Sequence, residues 1–150
     1  MVLISIQENG GIDLIFHTNT ESGKTDDIQS DPHINIAFLN GTGEWASVSG
    51  TSEIVTERAT VKEYYSPSLK AWLGDLGDGK HDGGPEDPRI GVIRVKAITA
   101  TYAVSRKSAI SRGVEFAQGV VTGKAAQVNK LREISEQEIE TWRSSHKMVS

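Results

Sequence analysis

The stretch of this chain best suited to chemistry is His17-Thr18-Asn19-Thr20-Glu21-Ser22-Gly23-Lys24, where an alternating apolar run gives way to a helical one. A strand-to-helix turn aims backbone N–H groups without intrahelical partners at whatever lies above the helix N-terminus, and the helix dipole favours an anion there. Thr18, Asn19, Thr20 and Ser22 add side-chain donors, and Lys24 adds a positive charge. Several neutral donors in a cup with one cation are what a dianionic phosphate wants. The same residues also suit a plain helix start, with Ser22 as N-cap and Lys24 as a surface lysine, and the local pattern leaves both open.

Other candidate motifs carry less. Gly41-Thr42-Gly43-Glu44-Trp45-Ala46 matches a dinucleotide-binding pattern, but it falls between two strands and reads as a hairpin. Asp78 to Arg89 has some positions of a calcium loop, yet Lys80 takes the third place and Arg89 replaces the closing glutamate. His81, Asp82, Glu86 and Asp87 lack a second histidine at ligand spacing, so a solvated loop accounts for them better than a metal site. Asn40-Gly41-Thr42 is a glycosylation sequon, without consequence unless the chain is secreted.

The elements that must position the turn are mostly strands. Val2, Ile4 and Ile6 alternate, Asn9-Gly10 marks a hairpin, and Ile12, Leu14 and Phe16 share one face with Asp13, Ile15 and His17 on the other. Ile34, Ile36 and Phe38 mark a third strand and 44–55 a long fourth. In the fifth, the apolar phase slips near Ala97 and Ile98, which predicts a bulge or sharp bend. Helices are expected over 22–30 and 57–65 and again from Ser66-Pro67, where Leu69, Trp72, Leu73 and Leu76 repeat on one side. The periodicity over 108–150 predicts a helical tail, with a strong start at the Ser135/Glu138 capping box and the Ile134/Ile139 staple. Gly74 to Asp87 is a loop rich in glycine and aspartate.

Length and charge narrow the classes. At 150 residues the chain is one domain on the usual prior of about 150 residues. It has no cysteine, which excludes disulfides and thiolate metal sites, and its net charge of −4 argues against nucleic acid. No apolar run approaches the ~20 residues of a membrane span, and no signal peptide is evident, so the expectation is a soluble cytoplasmic protein.

Ordered blocks then carry a resemblance: DLIFHTNTESGKTDDI, DPHINIAFLN, GEWASVSGTSEI, YYSPSLKAWLGDLG, EDPRIGVIRVKAITATYAV and GVVTGKAAQVNKLREIS. Together they resemble the pyridoxamine-phosphate-oxidase-like FMN-binding split barrels, specifically the general-stress-protein branch with its fungal blue-light-inducible members. The resemblance implies a mainly β fold with helices, a Greek-key split β-barrel with peripheral helices. It implies FMN as cofactor and a homodimer with flavins between the subunits. Ser22 and Lys24 would contact the phosphate, and His17, Thr18 and Asn19 would lie along the flavin edge, ribityl chain and phosphate. Trp45 would border the isoalloxazine, and Trp72 would reach the flavin of the partner subunit.

Two departures qualify what is carried over. Oxidase members hold the vitamin phosphate and ring with an arginine and a histidine on a C-terminal strand, whereas this tail reads as helical with Arg143 and His146 near its end. That argues against pyridoxamine-phosphate oxidase activity. Relatives also extend further at the N-terminus, with an arginine over the phosphate, so by this resemblance the chain reads as a shortened member with weak FMN affinity. The implied functions are an FMN-dependent oxidoreductase of unassigned substrate, a non-enzymatic flavin-binding stress or light-response protein, or a structural dimer that has lost its cofactor. No residue type in the pattern marks a catalytic acid.

Overall fold

The computed structural model describes residues 2–104 and 130–147. In chain order the elements are β1 (Val2–Glu8), β2 (Asp13–Asn19), α1 (Gly23–Ser30), β3 (His33–Leu39), β4 (Trp45–Val55), α2 (Arg58–Tyr64), α3 (Ser68–Leu73), β5 (Ile90–Val104), β6 (Lys130–Ile134) and α4 (Glu136–Lys147). The sheet is antiparallel with order β1-β2-β5-β4-β3, and β6 also pairs with β5. β5 is therefore the hub. One of its edges carries β4 from Val92 to Ala103; the other carries β2 from Ile90 to Val95 and β6 from Ala100 to Val104.

The phase slip in the fifth strand is a bulge at the predicted place. Ser49 pairs with Thr99 while Gly50 pairs with Ala97, which leaves Ile98 as the extra residue. The crossing is tight: a Cβ on Gly50 would lie 2.1 Å from the Lys96 carbonyl oxygen, so only glycine fits there. The β1–β2 hairpin turns where the Asn9-Gly10 signal stands, but Glu8 pairs with Asp13, so the loop has four residues, with Asn9 (φ 52°), Gly10 (φ 74°) and Gly11 (φ 87°) all left-handed.

β2 is buried on both faces, and this divides the core in two. Leu14 and Phe16 join Ile28, Ile36, Ile93 and Val95 on one side. Ile15 joins Val61, Tyr64, Leu69, Ile90 and Val92 on the other, beneath α2 and α3. The second layer lets two short helices persist, since helices of six and seven residues have little stability of their own.

Two expectations are corrected. The tail is not helical throughout: Lys130–Ile134 forms β6, an exposed strand stabilised by ladder bonds to β5 rather than by burial, so its own pattern does not announce it. The rest of that expectation, 105–129, lies outside the described residues. The stripe Leu69, Trp72, Leu73, Leu76 does not form one face, because α3 stops at Gly74 (φ 68°) and Leu76 is exposed. The capping box is present: Ser135 N–H donates to Glu138 Oε2 at 2.8 Å, and Glu138 N–H to Ser135 Oγ at 3.4 Å. No helix among the described residues is long and apolar enough to cross a membrane.

Candidate functional site

The turn 19–24 leaves β2 beside the start of β5, where Asn19 pairs with Ile90. Its polar groups are largely committed to the turn itself. Asn19 Oδ1 accepts the Glu21 N–H at 2.9 Å, an Asx turn, and the Asn19 carbonyl accepts the Ser22 N–H at 3.2 Å and Ser22 Oγ at 2.8 Å. Ser22 sits at the N-cap with extended backbone, yet its hydroxyl donates backwards and caps no helix N–H. Thr18 is buried, its hydroxyl 3.4 Å from the Asn19 carbonyl; the Thr20 hydroxyl donates to the Pro88 carbonyl at 3.0 Å.

Three of the four side chains that looked like phosphate donors thus use their protons inside the protein. What faces outward is the first turn of α1. The N–H groups of Gly23 and Lys24 open the helix, where no intrahelical acceptor exists, and both residues are exposed. Thr25 and Ile28 are the buried side of α1, and Asp26 and Asp27 are exposed with Lys24. This remains a suitable donor set for a phosphate: two backbone N–H groups, an ammonium and, with reorientation, a hydroxyl.

His17 points the other way from this surface. Its imidazole is buried and Nε2 lies 2.8 Å from the Tyr64 carbonyl, so Nε2 carries the hydrogen. Burial lowers its pKa, and the bond to Tyr64 offsets only part of that. Among the flavin contacts that the resemblance implies for His17, only backbone contacts suit this placement.

Behind the turn stands a frame that the sequence did not reveal. Asp87 is fully buried, and its carboxylate accepts N–H groups from Gly83 (2.7 Å) and Arg89 (2.9 Å) and the Arg89 guanidinium (2.6 Å). Burial alone would push this carboxyl up; Arg89 and the backbone donors more than reverse it and hold it at about 2. Arg89 also donates to the carbonyls of Leu73 and Gly74 that end α3. Arg58 bridges the carbonyls of Asp87 and Ile90. The one hint was Arg89 itself, standing where a calcium loop closes on glutamate. The remaining candidates of that loop are taken singly: His81 by Asp78, Glu86 by Lys62, and Asp82 by the Gly84 N–H.

The two tryptophans do not meet at the turn. Trp72 lies on α3, 45% exposed, close in sequence to the carbonyls that Arg89 holds. Trp45 begins β4 opposite Ala103, thirteen positions along β5 from Ile90, or roughly 40 Å of strand contour. There it lines an apolar groove of about 550 Å³ with Phe38, Leu39, Tyr102, Val104 and Ile134.

The family model described as pyridoxamine 5'-phosphate oxidase like matches residues 1–127. The chain belongs to that family. It is 68% identical over 144 residues to Protein bli-3 of Neurospora crassa, an alignment covering 95% of this chain and 69% of that protein. In fold it is similar to a protein related to general stress protein 26 from Clostridium acetobutylicum, with TM-score 0.56, 16% identity, and 85% and 68% of the two chains covered. It is also similar to a pyridoxamine 5'-phosphate oxidase-related, FMN-binding protein from Nostoc punctiforme, with TM-score 0.52, 17% identity, and 69% and 64% covered. The mainly β split-barrel fold expected from the sequence is the fold of this pyridoxamine 5'-phosphate oxidase-like chain.

Within the family frame, the C-terminal segment has a structural use. Arg143 is buried and donates to Asp13 Oδ1 at 2.7 Å and to the Ala97 carbonyl at 2.8 Å, while His146 stacks on Trp142 with ring centroids 4.3 Å apart. Arg143 clamps α4 to the β5 bulge and is spoken for.

Proposed function

We propose that this chain binds a flavin nucleotide, FMN, with its phosphate on the first turn of α1, and exchanges electrons with a small molecule. The observation that carries the reading is the exposed set at 23–24, the N–H groups of Gly23 and Lys24 with the Lys24 ammonium, on a turn where Asn19 Oδ1 and the Thr20 and Ser22 hydroxyls already have partners. The Nostoc protein of similar fold is an FMN-binding protein, which supports the choice of anion. A bound flavin supplies reversible electron uptake, and the protein supplies its binding and orientation. Gly23 and Lys24 would hold the phosphate, Ser22 would add its hydroxyl, and the backbone of 17–19 would lie along the ribityl chain.

A homodimer belongs to the same reading. Trp45 and the phosphate turn lie on opposite halves of β5, so a flavin that touches both would draw them from different protomers. Trp45 is 37% exposed and Leu39 78%, a rim suited to burial against a second copy. Light scattering at micromolar concentration should give twice the chain mass, and a monomer would remove Trp45 from the site.

Flavin binding without catalysis is the second reading. It is favoured by the commitment of the Thr18, Thr20 and Ser22 hydroxyls and of His17 Nε2 to protein acceptors, which takes up these candidate proton donors among the described residues of 17–22. Stopped-flow mixing of the FMN-loaded protein with NADPH separates the two: prompt bleaching marks the enzyme, and none marks the binding protein. Titration with FMN and with riboflavin tests what they share. FMN should bind more tightly by about tenfold or more, the contribution of charge-assisted phosphate contacts, and equal affinities would remove the phosphate site.

A further inference from the structure

The geometry points to Asp87 as a positioning residue for the phosphate turn, acting through Arg89 and Thr20; this rests on the phosphate reading above. Past the end of β2, Thr20 ties the turn to a distant segment of the described residues: its N–H donates to the Arg89 carbonyl at 2.8 Å and its hydroxyl to the Pro88 carbonyl at 3.0 Å. The turn therefore hangs from the 88–89 backbone by one side chain and one amide, across 68 residues of sequence.

That backbone is unusually well fixed. The Asp87 carboxylate binds the N–H, Nε and Nη2 of Arg89 and the N–H of Gly83, and Arg58 holds the Asp87 and Ile90 carbonyls at 2.8 and 2.6 Å. Gly91 completes the seat. A Cβ there would come within 2.7 Å of the Thr20 methyl, so the threonine occupies space that any other residue at 91 would fill. Asp87 is fully buried and Arg89 nearly so, which keeps both side chains from the surface where a phosphate would sit. Their reach to the site is through the Asn19–Ile90 ladder pair and, past the end of the strand, through Thr20, which helps set the height and tilt at which the Gly23 and Lys24 N–H groups leave the protein.

The consequence is selective. A phosphate depends on several donors converging on it, whereas the flavin ring and ribityl chain do not use them, so slackening the frame should weaken FMN and spare riboflavin. Two variants test this, Thr20→Val, which keeps the methyl packed against Gly91 and loses one hydrogen bond, and Asp87→Asn. Each is titrated with FMN and riboflavin by fluorescence quenching, with thermal unfolding followed in parallel. Thr20→Val should lower FMN affinity by about threefold to tenfold, as the loss of one positioning hydrogen bond allows, and Asp87→Asn by about tenfold or more. Riboflavin affinity should stay within about twofold of wild type for both. An unchanged FMN-to-riboflavin ratio in Thr20→Val, in a wild type that does discriminate, overturns the positioning role and leaves the phosphate site standing. A parallel fall for both ligands also overturns it, since that marks a general loosening. If the wild type itself fails to discriminate, the phosphate reading falls and takes this role with it. Should Asp87→Asn not fold, Thr20→Val decides.

Discussion

The two halves of β5 are built differently. From Ile90 to Ile93 the strand is covered on both faces and one face stays covered to Ala97: Ile90, Val92, Ile93 and Val95 are all buried, in two separate clusters, while Arg94 is half-buried and Lys96 exposed. From Ile98 to Val104 only Ala103 is buried, Val104 is exposed, and the neighbouring β6 is exposed along most of its length. The first half carries the polar frame of Asp87, Arg89 and Arg58, with the phosphate turn hung from it. The second carries an apolar groove around Trp45. A fixed half suits a ligand whose charge must be met at set distances, and an apolar, half-open one suits a surface completed by a partner. The bulge at Ile98 is the boundary, and Arg143 stands at it.

The largest effect should come from breaking that boundary. Asp13 accepts the Ala97 N–H at 3.1 Å while Arg143 donates to the Ala97 carbonyl, so one ion pair takes both backbone groups of a bulge residue. Arg143→Ala leaves a buried carboxylate and a carbonyl without that partner, which costs about 3–5 kcal/mol for a buried pair broken on one side. Urea unfolding measures it. A loss under about 1 kcal/mol would mean that α4 docks by other contacts and that the two halves are not joined here.

How much of this the sequence could show depends on the range of the interaction. The alternation of β2 to β5, the bulge beside Ala97 and the Ser135/Glu138 cap are local patterns, and they were legible. The helix start at Ser22 was legible too, but the direction of its hydroxyl was not, because the oxygen could accept a helix N–H while the hydroxyl could equally turn back to donate to the Asn19 carbonyl, as it does. The Asp13–Arg143 pair spans 130 residues, so neither partner shows in a window. β6 escaped for a different reason: Leu131 and Ile134 have helical spacing, and only the free edge of β5 makes a strand of them. Asp87 and Arg89 are two residues apart, yet the glycine- and aspartate-rich composition around them suggests solvent rather than burial.

A smaller effect should follow from changing the surface of the first half. Lys24→Ala removes the ammonium at the start of α1 and leaves the backbone donors. FMN affinity should fall by about tenfold, the lower end for a charge-assisted contact because Lys24 is exposed and solvent already screens it. Riboflavin affinity should not move. A matching loss for both flavins would show that Lys24 supports the fold of α1 rather than the phosphate, and the contrast between a charged half and an apolar half would weaken accordingly.

The smallest effect concerns pH, and it separates the covered half of β5 from the clamp. His17 pairs with Val92 in the covered half, and burial holds its pKa below the ordinary 6.5. A base with a lowered native pKa binds fewer protons folded than unfolded in the window between the two values. Stability therefore rises with pH there, and is lost as pH falls below about 6.5. Asp13 behaves differently: burial pushes its carboxyl up, but Arg143, Asn9 and the Ala97 N–H more than compensate and hold it below 3.8. Its contribution is complete above that value and is lost only as pH falls beneath it. Between pH 7 and 5, then, the clamp is silent and His17 is not. Wild type should lose stability to urea over this interval, and His17→Gln, which keeps a donor for the Tyr64 carbonyl without a titrating ring, should lose less. The remaining groups are common to both proteins and cancel in the difference. Parallel stability curves for the two from pH 7 to 5 would mean that the imidazole accepts its proton in place, and that the covered half is more open to water than its packing implies.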